Sequence, residues 1–265
     1  MLMDIGDSLK RLPVLPVLKD AGVCAEEMSL GAYAVGGLVR DLFLQRETLD
    51  VDVVIEGDGI AFASRFSADH GARLLIYERF KTATLVFPDG FKIDVATART
   101  ETYERPAALP SVMPGSIRDD LFRRDFSINT LAVCLNPHRF GELLDPFQGR
   151  DDIWKGSIRI LHDRSFVDDP TRIFRAARFE KRFDFKIEDI TEALIKDAVS
   201  TGLIERLSGY RIASELRLIL KEEDPLPAVQ RLEELGVLSS VARRREKHKE
   251  VGRLLRRMKE IQLVV

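Results

Sequence analysis

The sequence of 265 residues is poor in cysteine and tryptophan and has no long apolar run. Its two cysteines, Cys24 and Cys134, show neither disulfide nor zinc spacing, which indicates buried thiols in a reducing, cytoplasmic protein. No apolar stretch approaches the ~20 residues that a membrane-spanning helix needs. The segment Met1–Lys10 carries acidic residues and no hydrophobic signal-peptide core. These absences argue against a disulfide-stapled, zinc-binding, membrane-spanning or secreted protein.

Net charge is also low, −2 at pH 7, although 32% of the residues are charged and 45% are hydrophobic. This composition fits a soluble chain with one large or two modest domains. The charge is unevenly distributed, because residues 241–265 carry +6 and the remainder −8. The basic stretch Arg243–Lys259 is compatible with RNA binding; alternatively, its apolar residues form a helix whose exposed stripe makes the chain a homo-oligomer.

Two aspartates, Asp50 and Asp52, stand at the head of a β-branched run that ends at Ile55. Side chains i and i+2 project from the same face of a strand, so the two carboxylates form one acidic clamp. A cation relieves their repulsion, and oxygen ligands without His or Cys favour Mg²⁺ or Mn²⁺. Without further context, a solvent-facing strand start is the alternative interpretation.

A glycine turn lies upstream of this pair, where Gly36 and Gly37 follow a short strand and lead into a helix that contains Arg40. Glycine lets the backbone approach a phosphate, the helix N-terminus offers unpaired N–H groups, and arginine presents a planar fork. A Gly-Gly pair alone is more often a plain turn. Together with the acidic clamp it predicts a triphosphate held from two sides.

Alternating strand and helix signals predict a mixed α/β domain with about five strands. The strand 91–95 contains Asp94, whose carboxylate needs a metal or a hydrogen-bonding partner among apolar neighbours. The proline-rich stretch 99–118 predicts an irregular loop, interpreted as a mobile flap over the active site. Asp125 is expected to cap a helix that runs to Leu135, with Arg124 aimed at phosphate or sugar from its N-terminus.

The second half of the chain is predicted to be helical. Arg172, Arg175 and Arg178 recur every three residues, which places them roughly on one face of a helix over 169–182. The residues between them are small or apolar, so this helix should be largely buried and its arginines should need an anionic partner. A solvated basic face is the alternative.

Four ordered segments resemble the class II tRNA nucleotidyltransferases and bacterial poly(A) polymerases. They are GGLVRD at 36–41, LDVDVVIEG at 49–57, RRDFSIN at 123–129 and DPTRIFRAARF at 169–179. The resemblance implies an α/β head of the nucleotidyltransferase, polymerase beta-like type, followed by an all-α neck. It implies an enzyme that adds A, or CCA, to the tRNA 3′ end by two-metal phosphoryl transfer from NTP.

The resemblance also assigns roles to the matched positions, with ATP and possibly CTP as substrates. The acids, two metal ligands for Mg²⁺ or Mn²⁺ and a third acid, are Asp50, Asp52 and Asp94. The groups expected to bind triphosphate and nucleotide are Gly36, Gly37, Arg40 and Arg124. The residues expected to read the base, and to hold phosphate and position Arg172, are Asp169, Arg172, Arg175 and Arg178.

The predicted domains are a head at 1–150, a neck at 151–238 and a basic helical segment at 239–265. The family's body and tail domains are expected to be missing, and Lys81 stands where the family leads us to expect glycine. A poly(A) polymerase on the same scaffold is one alternative function. A truncated, catalytically idle nucleotide- or RNA-binding remnant is another, against which the intact pair Asp50 and Asp52 argues.

Overall fold

The computed structural model describes residues 9, 12–46, 50–243 and 248–263. The chain divides into two compact units. The first unit comprises Met1–Thr102 and Ser111–Trp154, and the second comprises Tyr103–Pro110 and Lys155–Val265.

The first unit is built on a seven-stranded mixed sheet. Its strands are β1 (Gly31–Val35), β2 (Val51–Glu56), β3 (Arg73–Tyr77), β4 (Thr82–Val86), β5 (Lys92–Thr97), β8 (Ala132–Cys134) and β9 (Leu143–Leu144). Their order is β3-β4-β5-β2-β1-β8-β9, in which β2 and β5 are parallel and the other neighbours antiparallel. The central strand β2 therefore presents its N-terminal end beside that of β5.

Helices cover the sheet because its central strands β1, β2 and β8 are buried on both faces. The helices of this unit are α1 (Leu15–Glu27), α2 (Gly37–Phe43), α3 (Gly59–Asp69), α4 (Ile117–Phe122) and α5 (Gly149–Lys155). Helix α3 begins at the cap Asp58, whose carboxylate accepts from the N–H groups of Ile60 and Ala61, and buries Phe62 and Phe66. Helix α4 packs Ile117 and Leu121 onto a different cluster, with Tyr33, Val54 and Cys134.

Two predictions for this unit are wrong. The expected helix from Asp125 to Leu135 is a short 3₁₀ turn, Ser127–Asn129, followed by strand β8, which pairs with β1 and raises the strand number above five. The expected irregular loop over 99–118 contains a hairpin, β6 (Arg99–Thr102) with β7 (Ser111–Pro114), and the start of α4. Pairing of β8 with the distant strand β1, and of β6 with β7 in the hairpin, overrides the local signals at the two places.

The second unit is largely helical, as predicted for the neck. Its helices are α6 (Ser165–Asp168), α7 (Thr171–Phe183), α8 (Asp189–Ser200), α9 (Gly209–Leu220), α10 (Leu226–Glu234), α11 (Val237–Arg243) and α12 (Lys249–Leu263). A two-stranded parallel ladder, β10 (Ser157–Ile158) with β11 (Lys186–Ile187), adds to them. Within the ranges that the structure describes, no helix is long and apolar enough to cross a bilayer.

Helix α12 carries much of the basic C-terminal stretch and is packed on its own unit. Val251 and Met258 are buried, the helix contacts α9 and α10, and Arg217 of α9 forms an ion pair with Glu250 at 2.7 Å. Its basic side chains Arg253 and Arg257 are exposed. Residues 244–247 of the predicted RNA-binding stretch lie outside the described residues.

Candidate active site

The predicted acids meet at the N-terminal end of β2. Asp52 lies directly opposite Asp94 in the parallel register of β2 and β5, and Asp50 immediately precedes β2. Asp94 is exposed rather than enclosed in an apolar strand interior, and it accepts a hydrogen bond from the hydroxyl of Thr84 on β4. The three acids therefore lie on or next to two adjacent strands. The carboxylate of Asp94 has a hydrogen-bonding partner, the hydroxyl of Thr84.

The electrostatics of this cluster centre on Asp52. Burial, together with the nearby carboxylates of Asp50, Asp94 and Asp120, raises the pKa of Asp52 to about 6 against the opposing charge of Arg124. Burial and like charges both disfavour the ionised form, so the cluster concentrates negative charge that a cation would relieve. The acidic clamp that the sequence predicted at Asp50 and Asp52 therefore has an electrostatic basis in the fold.

The donor set at the cluster suits a hard divalent ion. Among the described residues, no three His, Cys, Asp or Glu side chains are placed to hold a metal ion as a group. Mg²⁺ commonly takes only one or two protein carboxylates and completes its shell with substrate phosphates and water. Asp50 and Asp52 fit that pattern, whereas the roles of these residues as metal ligands, and of Asp94 as a third acid, stay predictions.

Arg124 lies across the glycine turn. Gly36 has φ +66°, and a Cβ built there would lie 2.6 Å from Nη1 of Arg124. Glycine is therefore required at residue 36 both for its backbone conformation and for the approach of the guanidinium. On its other side, Arg124 donates from Nη2 to Oδ2 of Asp120 at 3.1 Å. Its Nε is buried, with no hydrogen-bond partner in the described part of the chain.

Arg40 joins the two head motifs from inside the protein. It is only 6% exposed, and its guanidinium pairs with Asp41 at 2.8 Å and donates to Oδ1 of Asn129 at 2.6 Å. Asn129 in turn donates to Asp125 at 2.8 Å. These bonds fix the turn after β1 against the RRDFSIN segment, and the predicted contact of Arg40 with triphosphate stays a prediction.

In the second unit, Asp169 is held from one side. Its Oδ1 accepts from the backbone N–H of Thr171 at 2.9 Å, from the Thr171 hydroxyl, and from Nη2 of Arg211 at 2.6 Å. Arg211 also donates to the carbonyl of Ala107 at 3.1 Å. No donor among the described residues reaches Oδ2 of Asp169, which leaves that oxygen able to accept a further hydrogen bond.

Two arginines of α7, Arg172 and Arg178, are buried as their apolar neighbours predicted, and Arg175 is half-buried. Arg172 and Arg178 are each 6% exposed, and Arg172 donates to the hydroxyl of Ser165 at 2.7 Å. Arg178 pairs with Glu222 at 3.3 Å, and both Arg175 and Arg178 lie over the ring of Phe179. Burial and the charge of Arg175 lower the pKa of Arg178. Glu222 supplies part of the anionic partner that this row of arginines was expected to need.

Two family models match the chain. One, described as the poly A polymerase head domain, covers residues 32–159, and the other, described as a probable RNA and SrmB-binding site of polymerase A, covers residues 184–243. The A-adding tRNA nucleotidyltransferase of Geobacter sulfurreducens is 50% identical over 226 residues, 85% of this chain and 26% of that protein. The chain belongs to the tRNA nucleotidyltransferase and poly(A) polymerase family.

Two other members of this family have lower sequence identity to the chain. The A-adding tRNA nucleotidyltransferase of Halalkalibacterium halodurans is 42% identical, over 84% of this chain and 53% of that protein. The CC-adding tRNA nucleotidyltransferase of Deinococcus radiodurans is 36% identical, over 76% of this chain and 53% of that protein. The chain spans about half of these two relatives and about a quarter of the Geobacter protein.

Solved structures of tRNA nucleotidyltransferases share the fold. The Thermotoga maritima CCA-adding enzyme complexed with tRNA has a TM-score of 0.80 at 42% identity, covering 90% of this chain and 55% of that one. Complexes of a CCA-adding enzyme with ATP and with CTP give TM-scores of 0.80 and 0.81 at 40% and 41% identity. Each covers 90% of this chain, and 56% and 55% of the respective solved chains. The predicted nucleotidyltransferase head with a helical region after it is thereby confirmed.

Three residues that bond to predicted site residues escaped sequence reasoning: Asp120 and Asn129 in the first unit and Arg211 in the second. The spacing of Asp120 from Arg123 and Arg124, three and four positions, could have indicated its ion pairs, whereas no local pattern links Asn129 to Arg40. Arg211 stands in α9, 42 residues from Asp169. The burial of a charged side chain can be inferred from the spacing of its apolar neighbours, whereas its partner on a distant segment cannot be inferred in this way.

Proposed function

We propose that this chain transfers an adenylyl group from ATP to the 3′ hydroxyl of a tRNA that ends in CC. The observation that supports the proposal most is the cluster at β2, where Asp50, Asp52 and Asp94 act on one another beside Arg124. In this reaction the 3′ oxygen bonds to the α-phosphorus and pyrophosphate leaves. The chemistry needs concentrated negative charge for a cation and a positive group for the nucleotide, and the cluster offers both.

Each head residue has a part in the proposal. Asp50 and Asp52 would hold Mg²⁺ or Mn²⁺, which when bound would acidify the attacking hydroxyl and neutralise phosphate charge. Arg124, whose side chain is 17% exposed and whose guanidinium is not fully paired among the described residues, would donate to a nucleotide oxygen. Gly36 and Gly37 would let the backbone approach the triphosphate, because neither places a side chain in the turn.

In the second unit, Asp169 and Arg172 would select the base. Oδ2 of Asp169 can accept from an exocyclic amino group, as adenine and cytosine have and uracil lacks, while Oδ1 stays bound to Arg211. Arg172 is a rigid, buried donor because Ser165 and the packing of α7 hold it. A wrong base would leave these polar groups unpaired, which is how such a site discriminates strongly. Arg175 and Arg178 would support this edge and bind phosphate.

ATP is the proposed substrate because the relatives with 50% and 42% identity are named A-adding enzymes. Addition of CCA, with CTP as a second substrate, and polymerisation of A on other RNAs are alternatives with the same cluster. The proposed partners are therefore NTP and the tRNA 3′ end.

The proposal is tested by incubating the purified chain with tRNA ending at the discriminator base, at C or at CC, and with each NTP separately. We expect one A to be added to the CC-ended tRNA only. Incorporation of C would make the chain CC- or CCA-adding, and long A tails on any RNA would make it a poly(A) polymerase. Absence of incorporation with every substrate, in Mg²⁺ and in Mn²⁺, would refute the proposal.

A further inference from the structure

A row of four ion pairs in the first unit runs from Arg99 to Arg124, which lies near Asp52. Arg99 pairs with Glu101 at 3.1 Å, Glu101 with Arg123 at 3.0 Å, Arg123 with Asp120 at 2.7 Å, and Asp120 with Arg124 at 3.1 Å. Arg99 also donates to the carbonyl of Phe80. The row thus joins strand β6 to the guanidinium that lies beside the acids.

Asp120 connects two arginines of this row, Arg123 and Arg124. Its side chain is 0% exposed, and each of its oxygens is used: Oδ1 accepts from Nε and Nη2 of Arg123 at 2.9 and 2.7 Å, and Oδ2 accepts from Arg124. A fully buried carboxylate is stable only when its partners are charged and well oriented. The local helical geometry supplies that orientation, because Arg123 and Arg124 follow Asp120 by three and four positions.

Arg124 has little freedom between Asp120 and the glycine turn. The absence of a side chain at Gly36 admits Nη1, while Oδ2 of Asp120 accepts from Nη2, so the guanidinium is confined between the turn and α4. The third nitrogen, Nε, is buried without a partner in the described ranges of the chain. A guanidinium that is confined and not fully paired is prepared to donate to a ligand acceptor.

We infer that Asp120 is a positioning residue, which acts through Arg124 on binding of the nucleotide and is itself held by Glu101 and Arg123. This inference rests on the proposed function, since it concerns the substrate of that site. The ligand class is an anionic or polar nucleotide oxygen that meets the guanidinium of Arg124, whose side chain is 17% exposed. A salt bridge that only stabilised the fold would leave the substrate unaffected once folding was accounted for.

The test compares Asp120→Asn with Asp119→Asn. Both remove one carboxylate charge from α4, but Asp119 is exposed and bonds only within the cap. For Asp120→Asn we expect the KM for ATP to rise about tenfold with kcat changed by less than about threefold, since one charge-assisted bond is weakened. Asp119→Asn should keep the wild-type KM. Thermal unfolding of both variants shows whether the fold is retained.

A double-mutant cycle with Arg124→Ala separates positioning from stability. In the Arg124→Ala background, Asp120→Asn should add less than about twofold to the KM, because the group it positions is gone. Fully additive effects would overturn the inference. Glu101→Gln should raise the KM by a smaller factor than Asp120→Asn, since it acts one contact further away.

A second readout does not depend on activity. The side-chain Nε–H resonance of Arg124, assigned by its loss in Arg124→Lys, should exchange with water about tenfold faster in Asp120→Asn than in wild type. If wild type incorporates nucleotide and neither the KM nor this exchange rate changes, the inference fails while the proposed function stands. If wild type incorporates nothing, the proposed function fails and the exchange rate alone decides the inference.

Discussion

The burial of Asp52, a proposed metal ligand, lowers the stability of the metal-free protein. Its pKa of about 6 lies above the value of 3.8 expected for the unfolded chain, so between these pH values the folded protein binds more protons. The free energy of unfolding therefore falls as pH rises through this window in the metal-free protein. Above the window the full penalty is present, at most about 3 kcal/mol.

We predict that Asp52→Asn stabilises the metal-free protein and abolishes nucleotide incorporation. In EDTA at pH 7.5 the melting temperature should rise by about 2–6 °C, because the amide carries no charge to bury, and the gain should shrink at pH 4. Asp50→Asn, at an exposed position, should lose activity in Mg²⁺ with a smaller gain in stability. An Asp52→Asn protein that melts like wild type at pH 7.5 would contradict this account, and retained incorporation would contradict the metal assignment.

Asp169→Asn tests the proposed selection of the base more directly than removal of the side chain does. In Asp169→Asn the amide oxygen should remain on the side where Thr171 and Arg211 donate, which turns the other oxygen into an N–H₂ donor. A donor there disfavours the amino groups of adenine and cytosine and favours the carbonyl of uracil. Competition among ATP, CTP, GTP and UTP should show at least a tenfold loss of preference for ATP over UTP. Equal loss for all four nucleotides would reduce Asp169 to a brace within the neck.

At the scale of single residues, the sequence indicates the acids and the buried arginines but not their partners. Asp50 and Asp52 follow from strand periodicity, and burial of Arg172 and Arg178 follows from their apolar neighbours. The bond from Arg40 to Asn129 spans 89 positions, and no local spacing predicts it. Partners of that kind depend on how distant segments meet, which no local pattern records.

At the scale of elements, periodic segments are predictable and short paired ones are not. Helix α7 and strand β5 begin and end within two residues of the predicted bounds, 169–182 and 91–95. The stretch 125–135 has a good cap in Asp125 and an apolar run, yet Ala132–Cys134 pairs with Tyr33–Val35 as strand β8. Hydrogen bonds to β1 and burial of all three β8 residues outweigh a local helical preference.

The glycine turn between β1 and α2 provides an element-scale prediction. Gly36 has φ +66° with ψ −120°, which lies outside the left-handed region that alanine can enter, and a Cβ there would also lie 2.6 Å from Nη1 of Arg124. At Gly71, with φ +61°, a Cβ meets nothing within 4 Å, so Gly71→Ala should lower the free energy of unfolding by about 1 kcal/mol. Gly36→Ala should lower it by about 2–3 kcal/mol, through backbone strain and the contact with Arg124 together, and reduce incorporation more than about tenfold. Urea unfolding and the tRNA assay measure both, and equal effects of the two variants would contradict this account of the turn.

At the scale of the whole molecule, the chain is acidic apart from its C-terminal 25 residues. Burial of Val251 and Met258 explains why deletion of this end is a poor test of RNA binding, since it would also expose the apolar faces of α9 and α10. Charge can be removed without that damage because Arg253 and Arg257 are exposed and lie one turn apart on α12. The salt dependence of tRNA binding therefore distinguishes an RNA contact from a helix that mediates self-association.

The double variant Arg253→Gln and Arg257→Gln should weaken tRNA binding and flatten its salt dependence. Each lost phosphate contact removes about 0.7–0.9 from the slope of log affinity against log salt, so two contacts should remove roughly 1.4–1.8. The matched control is Arg73→Gln with Lys92→Gln, two exposed cations on strands β3 and β5, which should leave the slope unchanged. Binding of ATP should be the same in both double variants. An unaltered slope, together with a change in the mass measured by light scattering, would instead assign the exposed face of α12 to contact between copies of the chain.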